Sequence, residues 1–279
     1  MLPRTRWATL YPIDCTVFGL QLADHTLAVR RPGDDGTEFL HPVATSFRIL
    51  ARLQVDDGLT ESNRGAVTSA VRALMAAQQK DGSWRYPVSV ARYGVAPGWS
   101  SAMAQGLATS ALLRSADVLP DAESAVAHER IHAAVAHLLL PVEDGGCSTY
   151  DPEGRPFPEE CPATPAPYIL NGAAFALLGL HDYARATGED VAASTAHRLN
   201  DLLPRWDIGY YSRYDLLGQS PSSPDYHRLH IALLSVLEEL YGMEFGTYAR
   251  RFHEYERRLP SRLRARMLLA VDRLFVTKV

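Results

Sequence analysis

Three long connections interrupt an otherwise helical chain, and their placement constrains the fold more than any single motif does. After about residue 40, apolar residues recur at helical spacing over 43–57, 62–80, 99–117, 121–140, 168–187, 189–203, 225–241, 245–258 and 261–275. Four of the links are short ("DDGLT", "LP", "TGE" and "GME"), whereas 81–98, 141–167 and 204–224 are long and rich in Gly, Pro, aromatic and polar residues. Antiparallel helices joined alternately by short and long links put every long link at one end of the assembly. The pattern predicts an all-α domain over 41–279: an incomplete barrel of antiparallel helical hairpins, or α/α toroid, with inner helices lining a cleft and the long links around its mouth. Residues 1–40 read as an irregular or β-prone amino-terminal segment. Small residues in "SSAMAQGLATSALL" and "LNGAAFALLGL" suit close helix packing.

Composition removes several function classes. A net charge of -4 with no Lys/Arg block excludes a nucleic-acid surface as the main partner. No run reaches the roughly 18–20 apolar residues a membrane span needs, and Pro3, Pro12, Asp14 and Gln21 interrupt any signal-peptide core. Cys15, Cys147 and Cys161 lack CxxC spacing, which argues against structural zinc or a disulfide framework and fits a cytoplasmic protein. Among ten histidines there is no HExxH, and the His227/His230 pair has no evident third ligand, so no metal is expected.

Four stretches on the long-link side exceed what packing requires: "QQKDGSWRYPVSV" (78–90), "APGWSSAMAQG" (96–106), "FPEECPATPAPYILNG" (157–172) and "RYDLLGQSPSSPDYHRLHI" (213–231). In "DYHRLHI", Ser223 or Asp225 can cap a helix and place Tyr226 in its first turn, with His230 one turn further along. A phenol there is either a core residue whose hydroxyl finds a partner or an acid–base group whose pKa the helix end lowers.

In this order and spacing the chain resembles the carboxy-terminal helical domain of the D-glucuronyl C5-epimerase family. The similarity runs from "HPVATSF" through "DGSW", "PGWSSAMAQG", "EECPATP", "YILNGAAFALLGLHDYARATGE", "YDL" and "DYHRLHI" to "YARRFHEYERRL", most of residues 41–258. The family's helical domain is an α/α toroid, and larger animal members carry β-rich domains ahead of it. The resemblance implies epimerisation of a D-glucuronic acid residue to L-iduronic acid at C5. That chemistry needs proton transfer on two faces of a carbon α to a carboxylate, and no redox cofactor.

By the same resemblance, Tyr226, Tyr214 and Glu160 are the catalytic candidates. Leu217 stands where the family's "YDLRH" motif has Arg, leaving Arg213 or Arg228 to supply a cation for the carboxylate. Cys161 replaces the Tyr of "EEYP" and reads as an inert thiol. His227, His230, Gln105, Asn171 and Trp99 are further substrate-binding candidates, Trp84 and Tyr168 are aromatics for a sugar face or for the core, and Asp215 reads as a turn residue. The expected partner is a uronic-acid-containing oligosaccharide or glycoside. A short toroid can hide its open edge in a homodimer.

Two other readings use the same residues. "QQKDGSW" has the Q…GxW form found in triterpene cyclases, although their DxDD motif is absent, with Gln78 and Trp84 otherwise joining a helix end. A non-catalytic glycan-binding relative would fit the departures at Leu217 and Cys161.

Overall fold

A computed structural model describes residues 11–18, 27–55, 61–218 and 220–276. Among them the helices are α1 (Pro42–Val55), α2 (Glu61–Ala77), α3 (Ala102–Arg114), α4 (Asp121–Leu139), α5 (Leu170–Thr187), α6 (Ala193–Trp206), α7 (Pro224–Tyr241), α8 (Phe245–Arg257) and α9 (Leu259–Val276). Three antiparallel two-stranded ribbons complete the regular structure: β1 (Arg30–Pro32) with β2 (Glu38–Leu40), β3 (Arg85–Tyr86) with β4 (Trp99–Ser100), and β5 (Ser148–Tyr150) with β6 (Pro156–Pro158). The chain is mostly helical, as the periodicity predicts. No described helix is long and apolar enough to cross a membrane.

Odd-numbered helices pack in a row, α1 on α3, α3 on α5 and α5 on α7, and each also contacts the even-numbered helix that follows it. The α3–α5 contact is the closest part of this row because glycines occupy the crossing. A methyl group on Gly106 would collide with the backbone of Ala176, and one on Gly179 with the backbone of Gly106. Helices that approach this closely have no side chain to yield, so Gly179→Ala should destabilise the fold by about 1–3 kcal/mol or more. Gly65, on α2 with open space around it, gives the control. Gly65→Ala should stabilise by about 0.5–1 kcal/mol, and denaturant midpoints of the two variants should move in opposite directions.

The amino-terminal residues that are described join this core rather than standing apart. Tyr11, Ile13, Cys15 and Leu27 are buried in the same cluster as α1, α3 and α5. Gln54 ties them down: its Nε2 donates to the carbonyls of Tyr11 and Ile13, and its Oε1 accepts from the Cys15 N–H.

Several helix boundaries differ from the expected ones, α6 most of all with Ala193–Trp206 against 189–203, and two of the differences have visible local reasons. α2 stops at Ala77 because Gln78 turns its amide onto the carbonyls of Gly82 and Arg130. α3 starts at Ala102 because Trp99 and Ser100 pair with β3, and Ser101 then caps the helix by accepting from the Ala104 N–H.

The three long links meet one another, as alternating link lengths require. Arg92 in the first bonds Asp215 in the third at 2.6 Å, the Leu216 N–H donates to Pro167 O across the second and third, and the α3 N–H of Ala102 donates to Glu159 O of the second.

Candidate active site

Residues near the starts of α1, α3, α5 and α7 surround one cavity of about 410 Å³: His41 and Val43, Ser101 and Met103, Asn171, and Tyr226 and Leu229. Tyr86, Val88 and Trp99 form another wall, and Glu160 reaches in from the second long link. Four helices therefore begin at this space and direct their positive ends toward it. A neighbouring cavity of about 780 Å³ shares Tyr226 and Leu229 and continues past Asp225 and Arg228.

Glu160 occupies the centre of a phenol cluster. Its Oε1 accepts from the Tyr214 hydroxyl at 3.4 Å and its Oε2 from Asn171 Nδ2 at 3.1 Å. The Tyr214 and Tyr226 rings meet edge to face at 4.7 Å, and their hydroxyls engage one another. Burial pushes the Glu160 carboxyl up to about 7, a rise that the Tyr214 and Asn171 hydrogen bonds only partly offset. The close seat of Glu160 against α5 depends on Gly172, where any Cβ would collide with the Glu160 side chain.

The phenols behave opposite to the expectation from helix position. Ser223 does cap α7, accepting from the Tyr226 N–H, and Tyr226 does lie in the first turn. Its pKa is nevertheless raised, first by burial and then by the Glu160 charge; Tyr214 is raised more strongly by the same two causes. Tyr86 and Tyr93 also feel Glu160 and are raised, burial leading in both. An adjacent carboxylate and desolvation outweigh a helix end, so these groups stand as neutral phenols at neutral pH, acids rather than bases.

The structure brings Glu160, Tyr214, Tyr226, Asn171 and Trp99 together and sends the other candidates elsewhere. Trp99 lines the cavity, held by its Nε1 on Val88 O and by stacking on Tyr86 at 4.5 Å. Gln105 is fully buried and does not reach the cavity. Its Oε1 accepts from the Trp84 N–H while its Nε2 donates to the carbonyls of Gly82 and Ala134.

His227 and His230 are also fully buried. Both Nδ1 atoms meet the Ser212 hydroxyl, at 2.8 and 2.9 Å, and His227 spends its Nε2 on Phe252 O while stacking on Tyr211. Burial pushes them down to about 4 and about 3, so two neutral rings fasten the third long link to α7 instead of meeting a sugar.

The arginine candidates lie outside the smaller cavity. Arg213 turns to Gly218 O, and Arg228 pairs with Asp225 and Glu256, bordering only the larger cavity. Leu217 is 43 % exposed and replaces its expected cation with nothing polar. Asp215 is a turn residue, accepting from the N–H groups of Leu217 and Gly218, and it also holds Arg92 and the Tyr93 hydroxyl. Cys161 is buried, its thiol pushed up to about 12. Trp84 is core, its Nε1 on Leu74 O, and Tyr168 packs against Phe157. Among the described residues no group of three or more His, Cys, Asp or Glu is placed to hold a metal.

The family described as "D-glucuronyl C5-epimerase C-terminus" matches residues 78–254, more than half of the 279 residues. The chain belongs to the D-glucuronyl C5-epimerase family. It is 31 % identical over 226 residues to the D-glucuronyl C5-epimerase of Caenorhabditis elegans, covering 70 % of this chain and 35 % of that protein. An uncharacterized protein of Methanocaldococcus jannaschii is 29 % identical over 155 residues, covering 53 % of this chain and 49 % of its own. The chain thus spans between a third and a half of the length of these curated relatives. All three residues that the epimerase resemblance singles out, Glu160, Tyr214 and Tyr226, fall inside the matched region.

His41 is the cavity residue that sequence reasoning missed. It stands in "HPVATSF" immediately before Pro42, and a polar side chain just ahead of a Pro-initiated helix was the signal for a cap facing the helix end.

Proposed function

We propose that this protein epimerises a D-glucuronic acid residue to L-iduronic acid at C5, within an oligosaccharide or glycoside, on an α/α-toroid scaffold. The observation that carries the reading is the contiguous set Glu160, Tyr214 and Tyr226, with the first and last facing one sugar-sized cavity. Family membership supports an isomerase. The shared wall at Tyr226 and Leu229 leaves the larger cavity for a neighbouring sugar.

The protonation states favour a division of labour. Glu160, half ionised near neutrality, takes the C5 proton, and the C5–H electron pair moves into the carboxylate to give an enediolate. Tyr226, a neutral phenol, gives its proton to the opposite face of C5. The proton on Glu160 then passes through the intervening Tyr214 hydroxyl to the Tyr226 phenolate, which restores all three groups. The reverse direction runs the same chain backwards. Each group has a pKa suited to its step, since a carboxyl near 7 is a usable base at neutral pH and a raised phenol stays protonated until C5 is ready to receive its proton.

Two measurements test this. Incubation with a glucuronosyl disaccharide should produce iduronosyl signals in the proton NMR spectrum, and their absence at high protein concentration would reject the reading. The rate should climb with pH through about 7 as Glu160 ionises. Stability should respond in the opposite sense. Because the folded Glu160 binds its proton more tightly than the unfolded chain does, its contribution is complete below the ordinary value near 4.5 and is lost as pH rises through about 7. Glu160→Gln should flatten that part of the stability profile.

The same reading includes a cytoplasmic setting, supported by three buried free thiols, and a homodimer covering the exposed Leu259, Leu263 and Met267 of α9.

A further inference from the structure

A uronate carries a carboxylate, and among the described residues the cavity that holds Glu160 and Tyr226 has neither lysine nor arginine in its lining. His41 is the one basic side chain among the described lining residues. This ring is fixed from three sides. Its Nδ1 accepts from the Ala44 N–H at 3.2 Å, capping α1, while Phe39 stacks on it at 5.9 Å and Tyr86 meets it edge-on at 5.4 Å. An Nδ1 that accepts leaves the proton of the neutral ring on Nε2. Among the described residues that N–H has no protein partner. Burial, followed by the charge of Arg31, moves the ring below the usual histidine range and keeps it neutral.

A second, independent feature marks the same space as built for a hydrogen-bonding ligand. Asn171 is 2 % exposed and lines the cavity, its Nδ2 is spent on Glu160, and its Oδ1 has no partner. A buried acceptor left open costs free energy unless a ligand donor fills it, and a sugar hydroxyl is such a donor.

We propose that the His41 Nε2–H holds a carboxylate oxygen of the substrate uronate, with the start of α1 behind it and Asn171 Oδ1 accepting a hydroxyl of the same sugar. This rests on the uronosyl reading of the site. A neutral donor suits the chemistry better than a fixed cation would. It binds the ground-state carboxylate modestly and strengthens as the second negative charge of the enediolate builds on the same oxygens, which is where stabilisation accelerates the reaction.

The two ring nitrogens allow the roles to be separated. His41→Asn keeps a capping acceptor for α1 and removes the Nε2–H, whereas His41→Gln places an amide N–H near the position of Nε2 and gives up the favourable cap. The probes are a glucuronosyl disaccharide and its carboxyl-reduced glucosyl counterpart, with dissociation constants and kcat/KM measured alongside thermal midpoints. The wild type should prefer the acid. His41→Asn should keep its midpoint, bind the reduced disaccharide as before, and lose about 10–100-fold for the acid, the range of a hydrogen bond to a charged group. His41→Gln should recover most of that loss despite a lower midpoint. Recovery by Asn but not by Gln, equal weakening of both disaccharides, or a wild type that does not prefer the acid would overturn the assignment. If the wild type prefers the acid through His41 yet never exchanges the C5 proton, the epimerase reading falls while the carboxylate contact stands.

Discussion

Tyr226→Phe should lower epimerisation by about 10²–10⁴-fold, the usual contribution of a positioned proton-transfer group, with stability changing by no more than about 1–2 kcal/mol for the lost hydroxyl. The ring still packs edge to face on Tyr214 at 4.7 Å, so the loss is one of proton delivery and not of shape. The residual chemistry is the informative part. With Glu160 intact, one of the two epimers should still exchange its C5 proton with deuterated solvent, because removal and return on the Glu160 face need no phenol at position 226. Glu160→Gln should abolish exchange from both epimers, because the raised phenol of Tyr226 acts as a base only after passing its proton through Tyr214 to Glu160. Equal loss of exchange from both epimers in Tyr226→Phe would contradict a two-sided mechanism.

Gly172→Ala should be nearly as damaging although position 172 carries no functional group. The first turn of α5 passes so close to Glu160 that a methyl group there meets the Glu160 Cβ, Cγ and Oε2 atoms. Either the link carrying Glu160 moves away from α5 or the helix shifts with Asn171 on it; both break the Asn171–Glu160 hydrogen bond. An expected loss of about 1–3 kcal/mol in stability should accompany a fall in turnover of the same order as direct replacement of Glu160. The kinetic effect should appear in kcat more than in KM, because the base is displaced while Trp99 and the apolar wall remain. A Gly172→Ala variant with full turnover would show that the seat of Glu160 on α5 does not matter to the reaction.

The mostly helical content and the meeting of the long links were legible because link length is a coarse property that survives errors at helix ends. The meeting required only that 81–98, 141–167 and 204–224 be long, and those segments do contact one another. Tyr226 at the start of α7 and Asp215 as a turn residue were equally legible, since Ser-Pro-Asp and Tyr-Asp-Leu-Leu-Gly are local signals. What misled was treating polarity near a helix start as polarity facing the cleft. Gln105, His227 and His230 occupy such positions, yet each turns inward to satisfy backbone or serine groups that helix packing would otherwise bury without partners. A sequence shows that a side chain can hydrogen-bond but not which buried carbonyl lies opposite it. The expected lowering of the Tyr226 pKa failed for a related reason: the helix end was visible in the sequence, whereas the proximity of Glu160, 66 positions earlier in the chain, was not. His41 escaped notice because the cavity it lines is completed by Tyr86 and Glu160 from separate links.

Proton transfer at C5 between Glu160 and Tyr226 is reversible in this mechanism, and incorporation of deuterium reads it. A glucuronosyl disaccharide incubated with the wild-type protein in deuterated water should lose its H5 signal, with deuterium at C5 in both the iduronosyl product and the recovered glucuronosyl residue. An unchanged H5 signal after prolonged incubation at high protein concentration, with the disaccharide shown to be bound, would rule out proton transfer at C5 by Glu160 and Tyr226.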